Sequence, residues 1–339
     1  MWREGNENMN KGEEEMKSLI DYDKLEKDIY HLLSVDALTY YAESIKIDIS
    51  EDYKNLWKNL FDNGLIMMSG KDFKLSQECG IAFGKNTQLF CDGALVQLQV
   101  EYSKDNIFNK TNKDIELKRE YNGPMIMILD VTFEWLHKHF QRTQDRSNKK
   151  AVEDFIVPFE SIREAVVNAV VHRDYGDNGC FSYIKIKDDH LSIENPCDLP
   201  KQRIKKMKNF TANSTGNNSK LSKIFMGTKL QERSGNGMKT FRKTSPTPQY
   251  DYDGDFVYLK FAYSEENAYE LFVSLHEDIS RSVFKTYEYI LHNGEVSRAN
   301  VQSDLDLPEK TANNHLKKLV DIGEIKKVGA GKNTRYTLK

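Results

Sequence analysis

The hydrophobic pattern changes character several times along the chain. From about Leu19 to Gly64 it has helical spacing: IDYDKLEKDIYHLL places Leu25, Ile29, Leu32 and Leu33 near one face. A second helix, EDYKNLWKNLFDNG, stops at Asn63-Gly64. From Leu65 to Tyr121 the signal shifts to short strands, with alternating apolar residues in GKDFKLSQECGIAFGKN and ALVQLQVEY. GPMIMILDVTFEWLHKHFQRT then predicts a long amphipathic helix that opens at Gly123-Pro124 and ends in basic residues, as the helix dipole favours. After the charged linker QDRSNKK, a helix is expected over Phe159–Arg173, strands at CFSYIKIKD and HLSIENP, and a polar loop over Lys201–Lys220. A short helix over about Leu221–Met226, the turn RSGNG and a strand at DFVYLKFAY complete this region.

From about Ser280 the pattern predicts a separate small domain of winged-helix form. Val283, Tyr287, Ile290 and Leu291 mark one helix, and Ser297 caps a second running through Val301 and Leu305. Leu307-Pro308 turns into a third, over Thr311–Leu319, with Leu316, Leu319 and Val320 inward. Strands EIKKV and RYTLK flank AGKN as a wing tip. The organisation expected is a helical N-terminal piece (1–63, with 1–17 disordered), a connector (64–150), a central domain (151–265) and the winged helix-turn-helix (280–339). The N-terminal piece could itself be winged-helix-like.

Composition sharpens this picture only where charge is segregated. The 339 residues hold 49 Lys and Arg against 52 Asp and Glu, net −3, which excludes a uniformly basic coat and an acidic tail. Residues 1–60 carry 14 acidic and 8 basic side chains, net −6; residues 281–339 carry 7 acidic and 11 basic, net +4. Lys201–Lys220 holds six basic residues and no acidic one. Cys79, Cys91, Cys180 and Cys197 lack zinc-knuckle or CxxC spacing, and such sparse cysteines fit a reducing cytosol. No secretory h-region and no stretch near 18 apolar residues is present, so a soluble, cytoplasmic protein is expected.

The most informative segment is ESIREAVVNAVVHRDYG. Glu164, Asn168 and His172 follow at i, i+4, i+8; each step turns about 400°, so they form one slowly drifting stripe on an otherwise apolar helix. Such a stripe must meet water, a ligand or a buried polar network. The residue types suit a nucleotide site: an Asn oxygen can ligate Mg2+, and a Glu one turn away can position or deprotonate a water.

REAVVNAVVHRDY, IENPCDLP, NNSKLSKIF and QERSGNG, in that order, resemble the ATP-binding domain of RecG-like regulators. That domain is a Schlafen/AlbA-associated branch of the GHKL (Bergerat-fold) superfamily. The resemblance covers roughly Gly64 to Phe261 and implies an α+β fold with an ATP-binding α/β sandwich. It implies Glu164 as the catalytic carboxylate, Asn168 as the Mg2+ ligand, and His172, Arg173 and Asp174 as the branch's own extension. Glu194 would stand in for the adenine-reading Asp, with Asn195 and Pro196 beside it. Gly235 and Gly237 would form the phosphate box, where a Cβ would block close backbone approach. Cys197 and Asp198 replace glycines of the branch, and Asn217-Asn218-Ser219 stands where it has Arg-Asn-Pro, leaving Asn218 as the matched residue. Lys201–Lys220 would be the lid over the triphosphate.

The C-terminal part resembles the winged helix-turn-helix modules of bacterial regulators. Lys310, Asn313, Asn314, Lys317 and Lys318 are its candidate DNA contacts on the third helix; Asn suits adenine edges and Lys suits phosphate. Lys326, Lys327, Lys332 and Arg335 would place the wing near the backbone. The function expected is an ATP-binding, DNA-binding transcriptional regulator, with ATP and Mg2+ as cofactors and a homodimer as the assembly. In it, ATP state controls presentation of the winged helix. The alternatives are a GHKL-type ATPase acting on a partner, weak if it hydrolyses, and a non-hydrolysing scaffold. No P-loop is present, which argues against a helicase.

Overall fold

The computed structural model describes residues 20–104, 113–140, 157–176, 181–196, 200–212, 218–230, 237–276 and 278–339. The expected disorder of residues 1–17, the linker QDRSNKK, and Cys197, Asp198 and Gly235 lie outside these described residues. The chain is α+β and divides into two compact units. One comprises Met1–Leu95, Asn122–Asp130 and Asn218–Gln231; the other comprises Val96–Tyr121, Val131–Asn217 and Glu232–Lys339. No described helix is long and apolar enough to cross a membrane.

In the first unit, helices α1 (Tyr22–Ile29), α2 (Val35–Ser44) and α3 (Lys54–Asp62) precede an antiparallel hairpin of β1 (Ile66–Ser69) and β2 (Asp72–Leu75), then α4 (Gln77–Phe83). Leu25, Ile29, Leu38, Leu56, Trp57 and Leu60 are fully buried, as the helical spacing requires. The expected strand run GKDFKLSQECGIAFGKN is corrected: only Asp72–Leu75 is strand. Ser76 accepts a bond from the Cys79 amide (3.2 Å) and so caps a helix that buries Ile81, Ala82 and Phe83. Cys79 and Cys91 are buried, and burial pushes the Cys79 thiol up, away from reactivity.

The second unit is built on a six-stranded mixed sheet. Its strands are β3 (Val96–Tyr102), β4 (Ile115–Tyr121), β5 (Ser182–Ile186), β6 (His190–Pro196), β7 (Gln249–Tyr252) and β8 (Phe256–Ala262), in the order β4-β3-β5-β6-β8-β7. Only β3 and β5 run parallel. The strands of the expected connector and those of the expected central domain therefore share one sheet. Register puts Leu98, Ile184, Ile193 and Leu259 on one face; Tyr183, Glu194 and Tyr258 lie on the other with Lys185 and Lys260. The first face is apolar and buried. The second carries a Lys185–Glu194 ion pair at 2.6 Å and lysines over the Tyr183 and Tyr258 rings.

The helices that follow the chain through this region are α5 (Met125–Phe140), α6 (Phe159–Val171), α7 (Lys201–Lys208), α8 (Ser219–Gly227), α9 (Gly237–Lys243) and α10 (Glu265–Leu275). The Lys201–Lys220 loop is corrected here. Lys201–Lys208 is helical, and Ser219-Lys220 open α8, which belongs to the first unit, where Lys220 Nζ donates to the Gly64 carbonyl at 2.8 Å. The loop assignment counted polarity; Ile204 and Met207 at helical spacing are enough to fix α7 to its unit. β7, α9 and α10 fall outside the sequence expectation.

The C-terminal segment has α11 (Arg281–Asn293), α12 (Arg298–Asp304) and α13 (Glu309–Asp321), then an antiparallel hairpin of β9 (Ile325–Val328) and β10 (Arg335–Leu338). Ser280 caps α11, and Ser297 with Asn300 forms a capping box on α12. Between α11 and α13 the buried Thr286 Oγ1 meets His315 Nδ1 at 2.9 Å, and burial holds the imidazole below its ordinary pKa. The unfolded chain therefore takes up a proton that the folded one refuses, so this group's contribution is complete above about pH 6.5 and declines as pH falls. Glu288 on α11 has the opposite sign: burial and the Glu265 charge push it up to about 7. Urea unfolding of wild type and His315→Gln from pH 7.5 to 5 separates the two. The wild type should lose stability relative to the variant on acidification, by up to about 1.4 kcal/mol per pH unit for one proton. Parallel curves would remove His315 from the account.

Candidate functional site

The polar stripe on α6 gathers around a close backbone approach. Asn168 Nδ2 donates to Glu164 Oε1 at 3.0 Å, one turn apart on the same face. Gly237, the first residue of α9, lies against this pair. A Cβ built on it would stand 2.2 Å from Glu164 Oε1 and 3.0 Å from Asn168 Nδ2, closer than any side chain can come. Seven residues on, Thr244 Oγ1 meets the buried Ser161 Oγ at 2.7 Å, so α9 runs antiparallel to α6. Phe241 of α9 packs on Phe261 of the sheet's apolar face and on Tyr250. Burial, followed by the Glu164 charge, pushes the Tyr250 hydroxyl pKa up.

The end of α6 is built differently. His172 Nδ1 is buried and has no hydrogen-bond partner among the described residues. Burial, and then the charge of Arg203 on α7, holds the imidazole below its ordinary pKa, so it is neutral at pH 7. Arg173 is 1 % exposed and lies over the Tyr175 ring at 5.3 Å, while Tyr175 donates to the Val170 carbonyl at 2.9 Å. Asp174 accepts from the Gly176 amide at 2.8 Å. Arg173, Asp174 and Tyr175 thus fold back as the stop of α6; the contacts given for Arg173 are packing contacts.

The adenine-side residues separate. Glu194 lies on the polar face of the sheet, paired with Lys185. Asn195 lies on the apolar face, buried, and accepts a bond from Ser182 Oγ at 2.8 Å. The role implied for Glu194 is therefore corrected: alternation along β6 turns it away from the face where Phe241 of α9 packs and puts Asn195 there. Pro196 ends β6 opposite Phe256. Asn218, at the start of α8, belongs to the first unit.

On α13, Lys310, Asn313, Asn314 and Lys317 are exposed and follow at i, i+3, i+4 and i+7, while Ala312, His315, Leu316 and Leu319 are buried opposite. Lys318 and Arg335 are half-buried, and Arg335 Nη1 donates to the Thr334 carbonyl; the side chain of Lys332 lies outside the described residues. Arg203, Arg242 and Tyr250 are site neighbours that sequence reasoning missed. They sit far from the motifs along the chain, and only the antiparallel α6–α9 contact and β7 bring them in.

Among the described residues no group of three or more His, Cys, Asp or Glu is placed to hold a metal. Glu164 with Asn168 is a smaller oxygen donor set, of the kind that Mg2+ completes with phosphate and water. The glycine approach and this donor set fit the cation and phosphate end of a nucleotide; Glu194 does not fit its adenine end. No known protein family matches the sequence, and no curated protein matches it. Among solved structures, the DIP2311 protein from Corynebacterium diphtheriae is similar over 91% of this chain and 68% of that one, at 14% identity and a TM-score of 0.49.

The close approach makes a direct test. Gly237→Ala should lower stability by about 1–3 kcal/mol in urea unfolding, because the new methyl overlaps the Glu164 carboxylate. In a Glu164→Ala background the same change should cost much less, giving a coupling of about 0.5–3 kcal/mol. Additive effects would mean that the two groups do not meet.

Proposed function

We propose that the chain is an ATP-binding, DNA-binding regulator in which a Bergerat-type site at Glu164, Asn168 and Gly237 sets the state of a C-terminal winged helix. The observation that carries this reading is the approach of Gly237 to within a Cβ of the Glu164–Asn168 pair. Two segments that resemble motifs of one superfamily, separated by some seventy residues of sequence, meet at their chemically distinctive positions. Mg2+, when bound, would neutralise phosphate charge. Asn168 Oδ1 is left as an acceptor by the bond its Nδ2 makes, and Glu164 can hold a water by hydrogen bonding. Gly237 allows backbone to approach where any side chain would intrude.

DNA binding is supported by the exposed stripe Lys310, Asn313, Asn314 and Lys317 on a helix whose other face is core. Coupling is supported by α9. Its seven residues span about 10 Å. Gly237 meets the α6 pair at one end, and Arg242 Nε donates to the Leu291 carbonyl at 2.7 Å near the other. That carbonyl belongs to the last turn of α11, where the helix dipole and unbonded carbonyls favour a cation. A shift of α9 at the α6 pair is therefore transmitted to α11.

Thermal unfolding with and without Mg·ATP tests the nucleotide half. Wild type at a hundredfold excess over its Kd should gain about 2.7 kcal/mol, and Asn168→Ala should gain none. An equal response in both would contradict the site. For the DNA half, duplex affinity should differ with and without Mg·ATP in wild type and be the same in Asn168→Ala; four equal affinities would sink the coupling. Phosphate release abolished by Glu164→Gln would add hydrolysis to binding.

A further inference from the structure

We infer that α7 is a second phosphate-contacting element for duplex DNA, continuous with the C-terminal hairpin; this rests on the DNA reading of α13. The helix carries Lys201, Arg203, Lys205, Lys206 and Lys208 and no acidic residue. At 100° per residue its cations divide between two sides. Arg203 lies on the flank shared with Met207, where its charge acts on His172. Lys201 and Lys205, one turn apart, point the other way and are exposed, as is Lys206. None of these three pairs with a carboxylate among the described residues; Lys208 alone approaches one, Asp251, at 3.9 Å.

An unpaired cationic helix could be the lid over a triphosphate, but its anchoring favours a fixed surface. Asn209 Nδ2 donates to the Lys339 carbonyl at 2.6 Å, which joins the end of α7 to the end of the C-terminal hairpin. Lys208 and Glu324 line one small cavity with Tyr250 and Tyr287. Phe210 takes a left-handed conformation, φ 53°, at the position that usually holds glycine. It is buried against Phe241 and Tyr250, and the Thr211 amide closes back on the Lys206 carbonyl at 2.8 Å. A bulky residue stays in that conformation only where its surroundings hold it. Lys339 pairs with Glu324, and the exposed Lys326 follows on the outer face of β9, opposite in direction to the buried Ile325 and Leu338. Lysines fixed in this way along about 12 Å of helix and on into the hairpin form a track suited to the regular charges of a DNA backbone.

The test is duplex-DNA binding against salt for wild type, Lys201→Gln/Lys205→Gln/Lys206→Gln, and Lys317→Gln, with Mg·ATP melting shifts on the same proteins. Gln keeps the helix propensity of α7. The α7 variant should bind at least tenfold more weakly at low salt, with the log–log salt slope reduced by about 2, roughly 0.9 per lost phosphate contact. Its Mg·ATP shift should be that of wild type. An unchanged slope in the α7 variant, beside a reduced one in Lys317→Gln, would overturn the role of α7 and leave the DNA reading intact. Loss of the ATP shift with an unchanged DNA slope would return α7 to the nucleotide. If wild type binds no duplex at any salt, the inference falls with the reading on which it rests.

Discussion

The central constraint in the second unit is the absence of a side chain at Gly237. With Gly237 there, the Glu164–Asn168 pair and the backbone of α9 occupy adjoining space, and α9 lies antiparallel along α6. Phe241 can then reach the apolar face of the sheet, and Arg242 can reach the last turn of α11. Gly294, which ends α11 with φ 79°, leaves room for the same guanidinium: a Cβ there would stand 2.9 Å from Arg242 Nη2. Two glycines thus bracket a short helix that joins a polar site on α6 to the first helix of the C-terminal segment.

The sheet imposes a second constraint. One face is continuous hydrocarbon from β3 to β8, so polar groups on it must be bonded or meet a ligand. Asn195 satisfies that rule through Ser182, and the α6 pair satisfies it internally. The opposite face keeps its charges within itself, as lysines against carboxylates and over tyrosine rings. Chemistry on this unit is therefore directed to the α6 side, and residues of β6 take part or not according to their parity along the strand.

Much of this was legible in the sequence, for identifiable reasons. Helices with a clear apolar face, such as α3, α6, α11 and α13, were found because periodicity reports burial directly. The Glu164–Asn168–His172 stripe and the exposed stripe of α13 were read from the same rule. The face of Glu194 was not: the motif was matched by position, whereas the strand's alternation decides which of two neighbours points inward. The helical state of Lys201–Lys208 was missed because its polar composition outweighed two apolar residues, and the anchoring of that helix depends on Lys339 far along the chain. Arg242 could not be found from local pattern at all, since its partner is a backbone carbonyl forty-nine residues away. The hairpin that follows three helices occurs in both units, α1–α3 with β1–β2 and α11–α13 with β9–β10, without a sequence period to reveal it.

If the Glu164–Asn168–Gly237 junction takes the phosphates and Mg2+ of a nucleotide, binding must slow exchange at that junction before it does so elsewhere. Amide hydrogen exchange with and without saturating Mg·ATP, read peptide by peptide, measures this directly. The account predicts new protection over residues 164–172 and in the peptide that begins at Gly237, with a smaller change in α11 around Leu291. Nucleotide binding accompanied by protection elsewhere and none at these two segments would contradict it.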